Sequence, residues 1–222
     1  MICIPIIATN TNEACQKIAR ANPLADMLEV RLDRMDAFDL QKVIQASSKP
    51  VLVTYRSKRE GGSGSTAPDR YTDYILAALQ EGADLVDVEL WLPAKWRERI
   101  FDARQRSRVI ISSHHLGFTP PQEQLETLLK EGIAAGADVV KIVTRAEDWQ
   151  DNLRVLKLIP KARDLEIPII AFCMGPLGKA SRILSHLMGA YLTFASLKAG
   201  EESADGQISV AQMKNILETL AP

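Results

Sequence analysis

Eight short apolar segments recur along this chain, each followed by a stretch of helical periodicity, and few folds accommodate that alternation. The segments span residues 2–8, 27–32, 51–55, 85–90, 109–113, 139–143, 169–173 and 191–194. Between them, runs such as residues 74–79 and 125–130 carry apolar side chains at helical spacing. Strand after strand with intervening helices calls for a parallel sheet, and eight such units predict a (β/α)8 barrel. At 222 residues the chain has the length of one such barrel, and no shift in composition divides it, so residues 1–222 are expected to form a single domain. An open doubly wound sheet is the alternative. It often carries a glycine-rich phosphate turn after its first strand, whereas Ala8-Thr9-Asn10-Thr11 contains no glycine.

Capping chemistry marks several helix starts. Thr119-Pro120-Pro121-Gln122, Thr144-Arg145-Ala146-Glu147 and Ser209-Val210-Ala211-Gln212 each place a hydroxyl three residues before Glu or Gln, as a capping box requires. Lys+Arg 27 against Asp+Glu 28 leaves a net charge of -1, and no basic cluster interleaved with aromatics is present to track a phosphate backbone, so no nucleic-acid partner is expected. No apolar run approaches the roughly 20 residues needed to cross a bilayer, and the first residues lack a signal-peptide pattern. A cytoplasmic protein without a membrane partner is expected. Cys3, Cys15 and Cys173 are odd in number, widely spaced and set in apolar or helical segments, which argues for core thiols rather than disulfides or a metal site.

In such a barrel the chemistry sits at the carboxyl ends of the strands. There, Leu28-Glu29-Val30-Arg31-Leu32-Asp33 alternates charge with aliphatic residues, so period 2 places Glu29, Arg31 and Asp33 on one face. That face either lines a polar pocket or belongs to a solvated edge strand. Arg56 ends the third segment as a candidate clamp for a carboxylate or phosphate, followed by Glu60 and a Gly61-Gly62-Ser63-Gly64-Ser65 run that reads as a mobile loop. The run lacks P-loop spacing, so nucleotide binding is not supported. Val86-Asp87-Val88-Glu89-Leu90 repeats the alternation, with one carboxylate expected inward. The fifth segment ends in His114-His115; adjacent strand residues point opposite ways, which suits general acid/base work by one imidazole better than a metal.

The most unusual residue is Lys141, inside Ala137-Asp138-Val139-Val140-Lys141-Ile142-Val143-Thr144. Burying an unpaired ammonium costs several kcal/mol, so a lysine there is neutralised, paired or retained for chemistry. Desolvation would favour the neutral amine, a nucleophile able to form a Schiff base with a ketone. The alternative is a side chain that snorkels out at the strand end.

Taken together, Glu29-x-Arg31-x-Asp33, Arg56-x-x-x-Glu60-Gly61-Gly62, His114, Lys141, Gly178-x-x-Ser181-Arg182 and Ser203-Ala204-Asp205-Gly206-Gln207 resemble, in order and context, the type I 3-dehydroquinate dehydratases. The resemblance spans nearly the whole chain. It implies a (β/α)8 barrel, usually a homodimer, that converts 3-dehydroquinate to 3-dehydroshikimate in the shikimate pathway toward aromatic amino acids. By that resemblance Lys141 is the Schiff-base lysine, His114 the general acid/base, and Glu60 the carboxylate that orients it. Arg182 would hold the substrate carboxylate, with Glu29, Arg31, Arg56, Ser203 and Gln207 at the ring hydroxyls and carboxylate, and Met174 and Phe194 packed beside the substrate. Two positions depart from the pattern: His115 stands where bacterial relatives often carry Asp, and Asp205 where some have Pro.

A protonated imine withdraws electrons from the adjacent carbon, so covalent catalysis by lysine would need no metal or organic cofactor. The loop over residues 198–207 is expected to fold over the ligand. A class I aldolase on the same fold and a non-catalytic ligand-binding barrel remain the competing readings.

Overall fold

Side chains alternate across a strand, so a strand buried on both faces needs apolar residues at every position except where its inner face meets a site. The computed structural model describes residues 1–220 and shows this arrangement. Its strands are β1 (Ile2–Ile6), β2 (Met27–Arg31), β3 (Val51–Thr54), β4 (Leu85–Glu89), β5 (Arg108–His114), β6 (Val139–Arg145), β7 (Ile169–Met174) and β8 (Thr193–Phe194). All paired neighbours are parallel, in the order β7-β6-β5-β4-β3-β2-β1-β8. The ring is closed by the Tyr191 N–H, which donates to the Ile169 carbonyl at 2.8 Å. This is the expected (β/α)8 barrel. Strand β8 is shorter than the expected 191–194, because Tyr191 spends its backbone donor on the seam with β7 rather than on β1.

The helices are α1 (Thr11–Ala21), α2 (Leu40–Gln45), α3 (Pro68–Gln80), α4 (Ala94–Ala103), α5 (Gln122–Ala134), α6 (Trp149–Leu156), α7 (Leu158–Asp164), α8 (Lys179–Leu187) and α9 (Val210–Leu220). Outward strand residues such as Ile4, Val30, Val53, Val86 and Ile111 pack with Ile18, Ile75 and Ile100 of the helices. A second layer joins Val140, Ile142 and Ala171 to Leu125, Leu129, Val155 and Ile159. Inside the barrel lie Cys3, Met27, Leu52, Leu85, Ile110, Val139, Ile170 and Leu192, mostly one per strand near the amino ends. This apolar plug leaves only the carboxyl end free for polar groups.

One of the three expected capping boxes forms. The Ser209 N–H and hydroxyl reach Gln212 Oε1 at 3.2 and 3.0 Å, and the Gln212 N–H donates to Ser209 Oγ at 3.3 Å. Thr119 and Thr144 instead pair their hydroxyls at 2.8 Å beneath the β6 end. Helix α6 is capped by Asp148 and Asp151, which bond each other's backbone N–H groups. The glycine-rich loop is likewise not the mobile segment its composition suggests. Gly64 N–H donates to the Arg56 carbonyl, Ser63 N–H to Asp33 and Ser65 N–H to the Tyr55 hydroxyl. A Cβ on Gly62 would lie 2.0 Å from the Arg56 carbonyl oxygen, so glycine there serves a tight fold.

Candidate active site

Beyond the apolar plug, the inward positions turn polar in register: Glu29 and Arg31 on β2, Thr54 on β3, Asp87 and Glu89 on β4, Ser112 and His114 on β5, Lys141 on β6. The edge-strand reading of residues 28–33 therefore fails, since Glu29, Arg31 and Asp33 are all buried. A cavity of about 230 Å³ opens there, lined in part by Glu29, Arg31, Arg56, Glu60, His114 and Lys141 from one side. Met174, Arg182, Phe194, Ser203 and Gln207 close the other. All eleven candidate site residues thus meet in one cavity, joined by Phe172, which carries no signal in the sequence.

Lys141 is only 4% exposed, so it does not snorkel. Its amine donates to Asp87 Oδ2 at 2.9 Å, lies 4.0 Å from Glu29 and sits 4.7 Å from the centre of the Phe194 ring. The expectation of one inward carboxylate on β4 leaves open which of Asp87 and Glu89 it is. Both Asp87 and Glu89 point in, as residues two apart on a strand must. Burial alone would raise the Asp87 carboxyl, but Arg56 and Lys141 hold it well below the usual range.

Arg56 is the hub of this charge cluster. Its Nη2 donates to Asp87 at 2.6 Å, and its Nη1 reaches Glu89 at 3.0 Å, Ser112 at 2.9 Å and Glu60 at 3.3 Å. The guanidinium therefore lines the cavity while already engaged by protein carboxylates, unlike a free clamp. His114 Nδ1 and Glu60 Oε2 are 2.7 Å apart. Burial, with the charges of Arg56 and Lys141, pushes the His114 imidazolium well below its ordinary range, so the ring is neutral and able to accept a proton. With Nδ1 committed to Glu60, Nε2 is the nitrogen left for a ligand. His115 does point away: its ring lies near Ser113 and Phe118 and is not part of the cavity lining.

Arg182 has the opposite character to Arg56. It is 1% exposed, yet no carboxylate pairs with it among the described residues. Its Nη2 donates to the Asp205 carbonyl at 3.2 Å, its guanidinium lies over Phe172 at 4.4 Å, and its Nε–H has no partner. Burial lowers it to about 10, so it remains charged at neutral pH. The local fold explains its aim. Ser181 accepts the Cys173 N–H and donates to the Gly178 carbonyl, which ties the first turn of α8 to the end of β7. A Cβ on Gly178 would lie 2.5 Å from the Cys173 carbonyl oxygen, so only glycine lets helix and strand end approach this closely.

Four features thus share one cavity: a buried strand amine, a neutral imidazole on a carboxyl group, an uncompensated guanidinium, and a loop that supplies Ser203 and Gln207. Residues 2–221 match the family model described as type I 3-dehydroquinase. The chain belongs to this family. Its members are hydro-lyases, which sets the aldolase and non-catalytic readings aside. The chain is 36% identical to the 3-dehydroquinate dehydratase of Thermococcus gammatolerans over 217 residues, covering 98% of this chain and 97% of that protein. It is also 35% identical to the bifunctional 3-dehydroquinate dehydratase/shikimate dehydrogenase of Arabidopsis thaliana, over 97% of this chain but 36% of the larger protein. Among solved structures, the type I 3-dehydroquinate dehydratase of Clostridium difficile with covalent modified comenic acid superposes at a TM-score of 0.89, with 28% identity, covering 99% of this chain and 91% of that one.

The Glu60–His114 pair is electrostatically perturbed. Burial, reinforced by Glu89 and Asp87 against the pull of Arg56, raises Glu60 from 4.5 to about 9. An unfolded Glu60 loses its proton near the lower value and the folded one near the higher. Between them the folded state binds more protons, so this group's contribution to stability declines as pH rises through that window. Glu60→Gln cannot titrate there, and its stability relative to the unaltered protein is expected to improve from about pH 5 to about pH 9. Urea unfolding at both pH values checks this. A pH-independent difference would show that Glu60 ionises as readily in the fold as outside it.

Proposed function

We propose that this chain dehydrates 3-dehydroquinate to 3-dehydroshikimate, the third step of the shikimate pathway, through a Schiff base on Lys141. We further propose that it acts without metal or organic cofactor, as a single-domain cytoplasmic homodimer. The observation that carries the chemistry is the meeting of Lys141, the His114–Glu60 pair and Arg182 around one cavity.

The Lys141 amine attacks the substrate ketone, and loss of water from the resulting carbinolamine leaves a protonated imine. His114 removes a proton from the neighbouring carbon, and the electron pair moves into the imine to give an enamine. Return of that pair expels the hydroxyl on the next carbon, which leaves as water with the proton His114 returns. Hydrolysis of the conjugated imine then frees the product and the amine, so one water is lost in total. Asp87 holds the amine in place. Glu60 fixes the imidazole through Nδ1.

Substrate recognition follows from the charges. Arg182 is the buried cation without a protein carboxylate, so it takes the substrate's. Glu29, Arg31, Arg56, Ser203 and Gln207 meet the hydroxyls and the rest of the carboxylate shell, while Met174 and Phe194 pack on the ring. Residues 198–207 supply the lid. Its Ser203 and Gln207 side chains bond each other at 2.9 Å, and its Asp205 carbonyl already touches Arg182.

Borohydride reduction in the presence of 3-dehydroquinate, followed by mass spectrometry of the modified peptide, tests the proposal together with assay of the conjugated product. An adduct on the Lys141 peptide and dehydration are expected. Turnover without any trapped adduct would overturn the imine route. Arg182→Lys is expected to weaken ligand binding by about 1.5–3 kcal/mol, because a lysine cannot reproduce a bidentate, charge-assisted pair. Calorimetric titration on a Lys141→Ala background measures this without turnover. Unchanged affinity would move the carboxylate to Arg31 or Arg56.

A further inference from the structure

Asp33 is buried, yet it neither lines the cavity nor touches Lys141, His114 or Arg182. Its two oxygens are nevertheless fully used. Oδ1 accepts from Arg31 Nε at 2.8 Å and from the Arg56 backbone N–H at 3.2 Å. Oδ2 accepts from Arg31 Nη2 at 2.9 Å and from the Ser63 backbone N–H at 3.0 Å. Each oxygen is therefore shared between a cavity-lining guanidinium and the backbone of the loop that carries Glu60. Burial would raise this carboxyl, but Arg31 and the two N–H groups hold it below its ordinary range.

These bonds join two separate elements that both line the cavity. Arg31 lies at the end of β2, while residues 56 and 63 bracket the turn in which Glu60 meets His114. A bidentate grip fixes the plane of the Arg31 guanidinium as well as its position. The two backbone bonds pin both ends of the turn at Glu60.

We infer that Asp33 is a positioning residue for the dehydration, aiming Arg31 at the substrate and at the same time setting the loop that holds Glu60 against His114. The inference rests on the function proposed above. It assigns to Asp33 a coupling between recognition and proton transfer, without contact to the substrate.

Steady-state kinetics of Asp33→Asn, Arg31→Gln and the double variant test it, with thermal unfolding of each. Asp33→Asn keeps size but loses the charge and one acceptor. It is expected to raise KM about ten- to a hundredfold, the scale for losing hydrogen bonds to a charged group, and to lower kcat as Glu60 loosens. In the Arg31→Gln background it should add little to KM while still lowering kcat, because the pair acts through one guanidinium. Asp33→Glu, which keeps the charge, should recover part of kcat and guards against a poorly folded Asn variant. Fully additive KM effects, or a lowered Tm with KM and kcat unchanged in Asp33→Asn and Asp33→Glu, would overturn the inference. Absence of dehydration by the unaltered protein would instead overturn the proposed function itself.

Discussion

Lys141→Ala is expected to abolish the borohydride-trapped adduct and to lower dehydration by on the order of 10⁴-fold or more, the scale seen when a covalent nucleophile is removed. The size of the effect follows from what the amine does. Without an imine, the electron pair released beside the ketone has no cationic sink, and every later step depends on it. The same substitution leaves Asp87 with Arg56 and Ser112 as partners, at 2.6 and 2.5 Å, so its charge remains compensated. Folding should therefore survive, and retained thermal unfolding would separate loss of chemistry from loss of structure. A trapped adduct of undiminished yield on Lys141→Ala would assign the imine to another lysine.

Much of this arrangement is legible in the sequence because it depends on period 2 and burial. Glu29 and Arg31 must share a face with each other, and Val30 and Leu32 must take the opposite one; the barrel then decides only which face is inward. Lys141 is conspicuous for the same reason, being a lone charge between β-branched residues. The same rule, applied fully to β4, would have placed both Asp87 and Glu89 inside. Four other features resist reading from residue spacing. Arg56 looks like a free clamp until the fold brings Asp87, Glu89 and Ser112 from neighbouring strands onto its guanidinium.

The glycine-rich loop looks mobile because composition reports conformational freedom, whereas its rigidity comes from acceptors at Arg56, Tyr55 and Asp33. Thr144 and Glu147 have capping-box spacing, but β6 runs on to Arg145 and the helix starts later, at a second acidic pair. Phe172 was hidden among the apolar residues of β7, and only the approach of Arg182 over its ring distinguishes it. Arg56 and Phe172 depend on contacts between elements distant in sequence, which residue spacing does not encode, and the loop and the α6 cap depend on which of several nearby acceptors the folded backbone reaches.

His114→Ala is the second large expectation, a loss of about 10²–10⁴-fold in dehydration with imine formation retained in part. The distinction lies in which step needs the imidazole. The Lys141 amine is placed by Asp87 and Glu29, neither of which depends on His114, so nucleophilic attack remains available. Proton removal requires a group that is neutral at rest, as burial beside Arg56 and Lys141 keeps His114, and the imidazolium so formed then protonates the departing hydroxyl. The variant should therefore accumulate trappable imine while product formation falls, whereas Lys141→Ala should lose both. His115→Ala supplies the internal comparison, because its ring lies on the far side of the strand near Ser113 and Phe118. Adduct yield by mass spectrometry, measured beside steady-state dehydration for both histidine variants, resolves the two roles. Greater loss of turnover in His115→Ala than in His114→Ala would reverse the assignment of the acid/base on β5.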